Sequence, residues 1–321
     1  MKCLICNSSD NLENISKYKM EIQSDIKYFK DCSIFNCLSC DFGFVNPMPK
    51  ADDLNFFYNN IYRSPGRPPF WCTKDISEID LETISDKNLN YLLYITSLID
   101  FKKINSILDF GAGYGDIGYL LKKKFPHIKL YSCEDDKYCK DILFKRNYKN
   151  FKSLDEIDNK FDLIITLHSL EHLDNIEIFD RFYKILTEKG SIFFEVPNCT
   201  KEYFDGRIYD SPHLLFFTEK SLKKIAKIYN YEILNFSQSS YPFDLDHKYQ
   251  KESQETYNDL NKKKISYSKF KKILKRFVPK SIINFKKNLD KSKTINSYDR
   301  INDFTNNVGN NCYIRGIIKK N

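Results

Sequence analysis

The segment that most restricts the fold begins about one third of the way along the chain. Ser106-Ile107-Leu108-Asp109-Phe110 is a short apolar run that passes at once into Gly111-Ala112-Gly113-Tyr114-Gly115. Ile117 to Lys124 then shows helical spacing and ends before Pro126. Strand, glycine turn and helix in that order make a cradle where backbone can approach a ligand with no Cβ in the way. The rest of the chain alternates to match. Asn88–Phe101 has the spacing of an amphipathic helix. Strands are expected at Lys129–Cys133, around Phe151, at Phe161–Thr166 and at Ser191–Val196. Helices are expected over about Asn175–Leu186, with Gly190 as a stop, and over Thr218–Tyr229. Glu232–Phe236 and Tyr313–Ile318 read as the last two strands. This pattern predicts an α/β fold with a mostly parallel sheet covered on both faces.

The turn's neighbours narrow the ligand. No Gly-Lys-Ser/Thr follows, which excludes a P-loop. Glu134, with Asp135 beside it, stands at the tip of the second strand, where an acid accepts hydrogen bonds from ribose hydroxyls. Asp109 precedes the first glycine by two positions. A carboxylate there repels a pyrophosphate and suits the ammonium of a methionyl group.

The amino end has a different chemistry. The chain has 10 cysteines, of which four form two matched pairs, Cys3-x-x-Cys6 and Cys37-x-x-Cys40, with 30 residues between the pairs. Two such knuckles supply four thiolates, the donor set of a closed, structural zinc site. Cys32, Cys72, Cys133, Cys139, Cys199 and Cys312 are scattered and read as packing residues. The run Ser64-Pro65-Gly66-Arg67-Pro68-Pro69 reads as a linker or lid-like loop, and the module is expected to end near residue 75.

Composition limits the partners. Mean hydropathy is −0.53, and no apolar run approaches the ~18–20 residues of a spanning helix. Cys3 follows Met1 too closely for a secretory signal, so a cytoplasmic location is expected. The net charge of +8 is concentrated: residues 262–293 hold 13 Lys/Arg and one acid, and the remainder is acidic by four charges. That distribution argues against a nucleic-acid binder acting through its whole surface. Within the basic block, Phe270, Ile273, Leu274, Phe277 and Val278 share one helical face opposite Lys271, Lys272, Lys275 and Arg276. Three uses compete for it: packing on the protein's own sheet, peripheral contact with an anionic inner-membrane surface, and binding of a phosphate-bearing substrate or nucleic acid.

Taken together, Asp109-x-Gly111-x-Gly113-x-Gly115, Glu134, Phe161-Asp162-Leu163-Ile164, Leu170-Glu171-His172-Leu173 and Glu195-Val196-Pro197-Asn198 resemble a class I S-adenosylmethionine-dependent methyltransferase over about residues 85–240. With the knuckles and Phe44-Val45-Asn46-Pro47-x-Pro49, the layout looks like bacterial sugar methyltransferases of surface-polysaccharide and deoxysugar pathways, a group with O- and C-methylating members. The resemblance implies a Rossmann-like sheet of seven strands whose final two form an antiparallel hairpin at one edge. It implies that Gly111, Gly113 and Gly115 line the methionyl and ribose side of the cofactor. Asp109 is then near the methionyl amine, Glu134 on the ribose hydroxyls, Asp135 at the adenine-ribose edge, Leu154 against the adenine, and His168 in contact with the cofactor. The expected organisation is a zinc-knuckle module and linker at 1–75, a methyltransferase core at 76–241, a basic helical insertion at 242–305 and the last strand at 306–321.

Methyl transfer to a hydroxyl needs alignment and a way to handle the hydroxyl proton, so a base or a metal is expected near the strand ends. His168, Glu171, His172 and His213 gather there. His172 and His213 are the best general-base candidates, and His172 has orientation within the turn as its alternative role. Glu171 orients one of them or lies at a helix amino end. The same three imidazoles and carboxylate can instead hold a catalytic divalent ion. Tyr58, Tyr62, Phe204 and Tyr209 either stack on a sugar ring or pack in the core. The expected activity is methyl transfer to a sugar, nucleotide-linked, lipid-linked or in a surface glycan. The alternatives are an RNA methyltransferase with an amino-terminal zinc ribbon, a sugar C-methyltransferase, and a non-catalytic zinc interaction module.

Overall fold

The computed structural model describes residues 1–20, 22–64, 86–207, 209–210, 212–239 and 313–321. The basic block at 262–293 and the module boundary near residue 75 lie outside the described residues.

At the amino end, β1 (Leu12–Lys17), β2 (Ser33–Cys37) and β3 (Phe42–Asn46) form an antiparallel meander. The second knuckle is the turn between β2 and β3, and Asp41 takes the positive φ that closes it. Helix α1 (Ala51–Phe56) runs on into a wider, π-helical turn at Phe57–Tyr62.

The body then alternates helix and strand: α2 (Asp86–Leu98), β4 (Ser106–Phe110), α3 (Asp116–Lys124), β5 (Lys129–Cys133), α4 (Lys140–Lys145), β6 (Lys149–Phe151) and β7 (Phe161–Leu167). It continues with α5 (Ile178–Ile185), β8 (Leu186–Pro197), α6 (Lys201–Gly206), β9 (Leu215–Phe216), α7 (Glu219–Ile228), β10 (Tyr231–Ser239) and β11 (Tyr313–Lys320). Seven strands form one sheet in the order β10-β11-β8-β7-β4-β5-β6. The pairs β4–β5, β4–β7, β5–β6 and β7–β8 are parallel, and β11 runs antiparallel to β8. This is the Rossmann-like, class I methyltransferase sheet expected from the sequence.

Its centre is buried on both faces, which is why β4, β7 and β8 read as continuous apolar runs rather than alternating ones. One face packs Phe179 and Phe182 of α5 and Leu222 and Ile225 of α7 against the sheet. The other packs Tyr91 and Ile95 of α2 and Leu120 and Leu121 of α3. Thr218 starts α7 by accepting from Ser221 N–H, and the Ser221 hydroxyl is bonded back to Thr218 N–H, a capping box.

Two expectations need correction. The helix predicted over Asn175–Leu186 spans only Ile178–Ile185. Gly190, predicted as its stop, lies inside β8. The strand already pairs at Leu186 with Phe161 and then shifts register before Leu163 pairs with Ser191. A Cβ on Gly190 would meet the Phe161 carbonyl at 2.9 Å, so glycine is needed for close backbone approach at that irregularity.

The amino-terminal module is not a separate body. β9 adds to β3 through Gly43–Phe216 and Phe44–Leu215, giving a second sheet in the order β1-β2-β3-β9. Residues Met1–Gln238 and Cys312–Asn321 form one compact unit. The cysteines of the knuckles share a continuous buried cluster with Phe217 and Leu222.

Candidate functional site

The glycine turn leaves β4 at its carboxyl end, where ligands bind in open α/β sheets. Gly111, Gly113 and Gly115 have φ of 65°, 54° and 68°, the left-handed region that disfavours residues with a Cβ. Their surroundings differ. A Cβ on Gly111 would collide with Ser169, and one on Gly115 would lie 2.7 Å from Leu143 and Tyr148. These two are therefore required by the protein's own packing. Only Gly113 opens toward a side chain from elsewhere, with Arg63 Nη2 at 3.3 Å from the Cβ position.

Glu134, at the tip of β5, accepts from Gly113 N–H at 2.8 Å and from Asp136 N–H at 2.9 Å. Burial raises its pKa, and the nearby Arg63 charge lowers it again. Asp135 is turned to solvent, with Lys140 Nζ at 3.8 Å. The acid brought to the cradle is instead Asp136, which pairs with Arg63 at 3.2 Å and accepts from Tyr138 N–H at 2.8 Å. The side chain of Asp136 closes the local turn, and this leaves Asp135 pointing outward. Leu154 is buried in the same apolar cluster as Cys133 and Phe151.

Asp109 is 5% exposed. Burial pushes its carboxyl up to about 7, and the Tyr148 hydroxyl 3.2 Å away works against that rise. Tyr148 also lies 2.9 Å from the Gly115 carbonyl. The Tyr148 O–H can donate to only one of the two at a time.

His168 follows β7 with φ of 53°. Its Nε2 donates to Glu195 Oε1 at 2.9 Å. Tyr91 donates to the same oxygen, and Arg315 Nε donates to Glu195 Oε2. Arg315 and Glu195 are directly opposite on β11 and β8, and each is 1% exposed. This buried, fully hydrogen-bonded carboxylate fixes the ring of His168. Nothing in the sequence reading assigned roles to Tyr91, Glu195 or Arg315.

Past His168, a short turn carries Glu171 and His172. His213 approaches from the loop before β9, its ring centroid 5.0 Å from that of His172. Tyr58 donates to the Pro212 carbonyl at 3.2 Å, and His172 Nδ1 is 3.3 Å from the Tyr58 oxygen. His172 Nδ1 is also 3.5 Å from the Pro212 carbonyl, which can only accept, and a proton on Nδ1 leaves the Nε2 lone pair of His172 available. Burial depresses both imidazoles, His172 to about 4 and His213 to about 3. Both are neutral near pH 7. Tyr58 and Tyr62 flank His172 edge-on, each 5.9 Å between ring centroids.

The amino-terminal module holds this centre. Val45 N–H donates to the Leu214 carbonyl at 3.0 Å, and Leu214 N–H to the Glu171 carbonyl at 2.7 Å. Tyr18 donates to the His213 carbonyl at 2.8 Å. Phe204 is packed in the core beside Phe216, so it is not placed to stack on a substrate.

Within the module, Cys3 Sγ lies 3.5 Å from Cys40 Sγ, and Cys6 Sγ 3.4 Å from Cys37 Sγ. All four sulfurs fall within 4.8 Å of one another. Disulfide sulfurs are ~2.05 Å apart. The edge of a tetrahedron with Zn–S bonds of ~2.3 Å is about 3.8 Å. The four cysteines thus fit a tetrahedral metal and are not paired with each other.

Residues 82–235 match the family model described as a methyltransferase domain. No curated protein sequence matches the chain. Among solved structures, the StiE O-methyltransferase domain is 14% identical, with 73% of each chain covered and a TM-score of 0.41. The O-methyltransferase of a trans-AT polyketide synthase from Brevibacillus brevis, with S-adenosylhomocysteine, is 15% identical (73% of this chain, 71% of that one, TM-score 0.40). The plantazolicin methyltransferase BpumL, with the same compound, is 14% identical (74% and 83%, TM-score 0.41). These likenesses are too distant to speak for substrate or site. Among the described residues no helix is long and apolar enough to cross a membrane. The sheet order, the glycine turn that it carries and the family match make residues 82–235 of this chain an S-adenosylmethionine-dependent methyltransferase domain.

Proposed function

We propose that the protein methylates a hydroxyl oxygen of a sugar, carried on a nucleotide, on a lipid or within a surface glycan. The observation that carries this reading is the pair of neutral imidazoles, His172 and His213, one turn beyond the cradle. Ser169 links the two regions: its hydroxyl donates to the Gly111 carbonyl at 3.3 Å, and His172 follows three residues later. The aromatic edges of Tyr58 and Tyr62 beside His172 suit the apolar face of a sugar ring.

Bound in the cradle, S-adenosylmethionine supplies an activated methyl group, whose S–C bond breaks as an O–C bond to the acceptor forms. Asp109 would face the methionyl ammonium, and Glu134 the ribose hydroxyls. His168, its ring oriented by Glu195, would stand between cofactor and acceptor. The hydroxyl proton is lost beside the His172–His213 cluster. Cys3, Cys6, Cys37 and Cys40 hold a structural zinc, which keeps β3 in place to pair with β9.

Methyl-labelled cofactor, incubated separately with nucleotide sugars, cell-surface glycans and total RNA, tests the acceptor class. Label in a sugar hydroxyl supports the assignment. Label confined to RNA, or to a sugar carbon, would replace it with one of the two alternatives.

A further inference from the structure

Glu171 poses a problem that methyl transfer alone does not answer. Its side chain is 1% exposed. Both carboxylate oxygens are buried, and neither takes part in a hydrogen bond among the described residues. An ionised carboxylate taken out of water with no compensating donor is strongly destabilising. His168 Nδ1 comes within 3.4 Å of Glu171 Oε1, but its ring is oriented by Glu195 through Nε2, and no hydrogen bond to Glu171 results.

What does converge on Glu171 is a pair of imidazole rings. One ligand atom each from Glu171, His172 and His213 lies within 4.8 Å of the other two. The Pro212 carbonyl near His172 Nδ1 favours the tautomer of His172 that presents the Nε2 lone pair. Neutral His213 also carries one unprotonated ring nitrogen, so three electron-pair donors can be brought to one partly buried point. No hydrogen bond joins Glu171 to either ring among the described residues. A cation satisfies all three at once.

We propose that Glu171, His172 and His213 form a second metal centre that binds a divalent first-row transition ion. Two imidazoles and one carboxylate are the donor set such ions prefer over magnesium or calcium. Three protein ligands leave coordination positions open, as catalytic rather than structural sites do. The centre rests on the acceptor-site assignment above, since an open position would take the acceptor hydroxyl. Coordination acidifies that hydroxyl, its proton leaves to water, and the methyl group moves from sulfur to oxygen with no change in the oxidation state of the ion. His172 and His213 then serve as ligands rather than as free bases. His168 is left out of the set because, among the described residues, the group of mutually close ligand atoms comprises only Glu171, His172 and His213. The backbone at each ligand is fixed by contacts already described: Leu214 N–H to the Glu171 carbonyl, and Tyr18 to the His213 carbonyl. A preorganised site of this kind needs such support.

Manganese(II) alone is the probe, because thiolate sites such as the four-cysteine cluster disfavour it. The full chain, purified with its four-cysteine metal retained, is titrated with Mn2+ while the free-ion electron paramagnetic resonance signal is followed. Wild type is expected to remove one Mn2+ per chain. His213→Gln and Glu171→Gln are each expected to weaken that binding at least tenfold. Calorimetric binding of S-adenosylhomocysteine, unchanged within about twofold, shows that each variant is folded. No Mn2+ uptake by wild type, or equal uptake by both folded variants, overturns the metal centre and leaves the methyltransferase assignment standing. Failure of wild type to bind S-adenosylhomocysteine would instead count against that assignment, and Mn2+ uptake would still decide the metal centre.

Discussion

The cofactor cradle and the acceptor centre touch through Ser169, yet they are assembled in opposite ways. Asp109, Gly113, Glu134, Asp136 and Tyr148 all come from one stretch of 40 residues, folded as strand, turn, helix, strand and helix. The acceptor centre draws Tyr58 from the amino-terminal module, Glu171 and His172 from the end of β7, and His213 from a loop held by β3. The first is local and repeats a pattern fixed by backbone geometry. The second exists only when distant segments meet. Cofactor binding should therefore be separable from turnover by mutation.

The largest effect should fall on the acceptor side. His213→Ala should lower turnover by about 10²–10⁴-fold, while S-adenosylhomocysteine affinity, read by calorimetry, stays within about twofold. Equal losses in both would mean that the two regions are one. The mirror-image substitution is Gly113→Val. It puts a β-branched side chain at φ 54° and toward Arg63. Backbone strain of ~1–3 kcal/mol, together with the filled space, should weaken cofactor binding by about 10–100-fold.

A smaller effect comes from pH. The Asp109 carboxyl is raised to about 7, chiefly by burial, so below that pH the group is mostly protonated. A methionyl ammonium favours its ionised form, so cofactor binding should release a proton. Affinity should then rise with pH, by at most about tenfold per unit, and level off above 7. Calorimetry in buffers of different ionisation heat would measure the released proton, and Asp109→Asn should abolish the slope. Least of all, Tyr148→Phe removes one neutral hydrogen bond to the cradle and should cost about 1 kcal/mol of stability in chemical unfolding.

How much of each region was legible in the sequence follows from the same contrast. The turn, the acid at the tip of β5 and a mostly parallel sheet could be read because glycine runs, a strand-end acid and alternating helix and strand periods leave local marks. Asp135 and Asp136 were indistinguishable by spacing, and the local turn toward Tyr138 and Arg63 decided between them. Gly111, Gly113 and Gly115 were expected alike to line the cofactor, and around Gly111 and Gly115 the protein's own Ser169 and Tyr148 crowd the Cβ position. His172 and His213 could be nominated together at the strand ends, whereas the pairing of β9 with β3 that holds the His213 loop left no mark in the sequence. The Glu195–Arg315 pair did leave one signal: an arginine in the middle of the apolar strand Tyr313–Lys320 has to find a buried acid. Its partner is fixed only by the antiparallel register of β8 and β11.

The most direct test of the central claim is a calorimetric titration of the full chain with S-adenosylhomocysteine, run side by side on wild type and Gly113→Val. The account predicts one site per wild-type chain and binding at least tenfold weaker in the variant. No binding by wild type, or equal affinity in the two proteins, would contradict it.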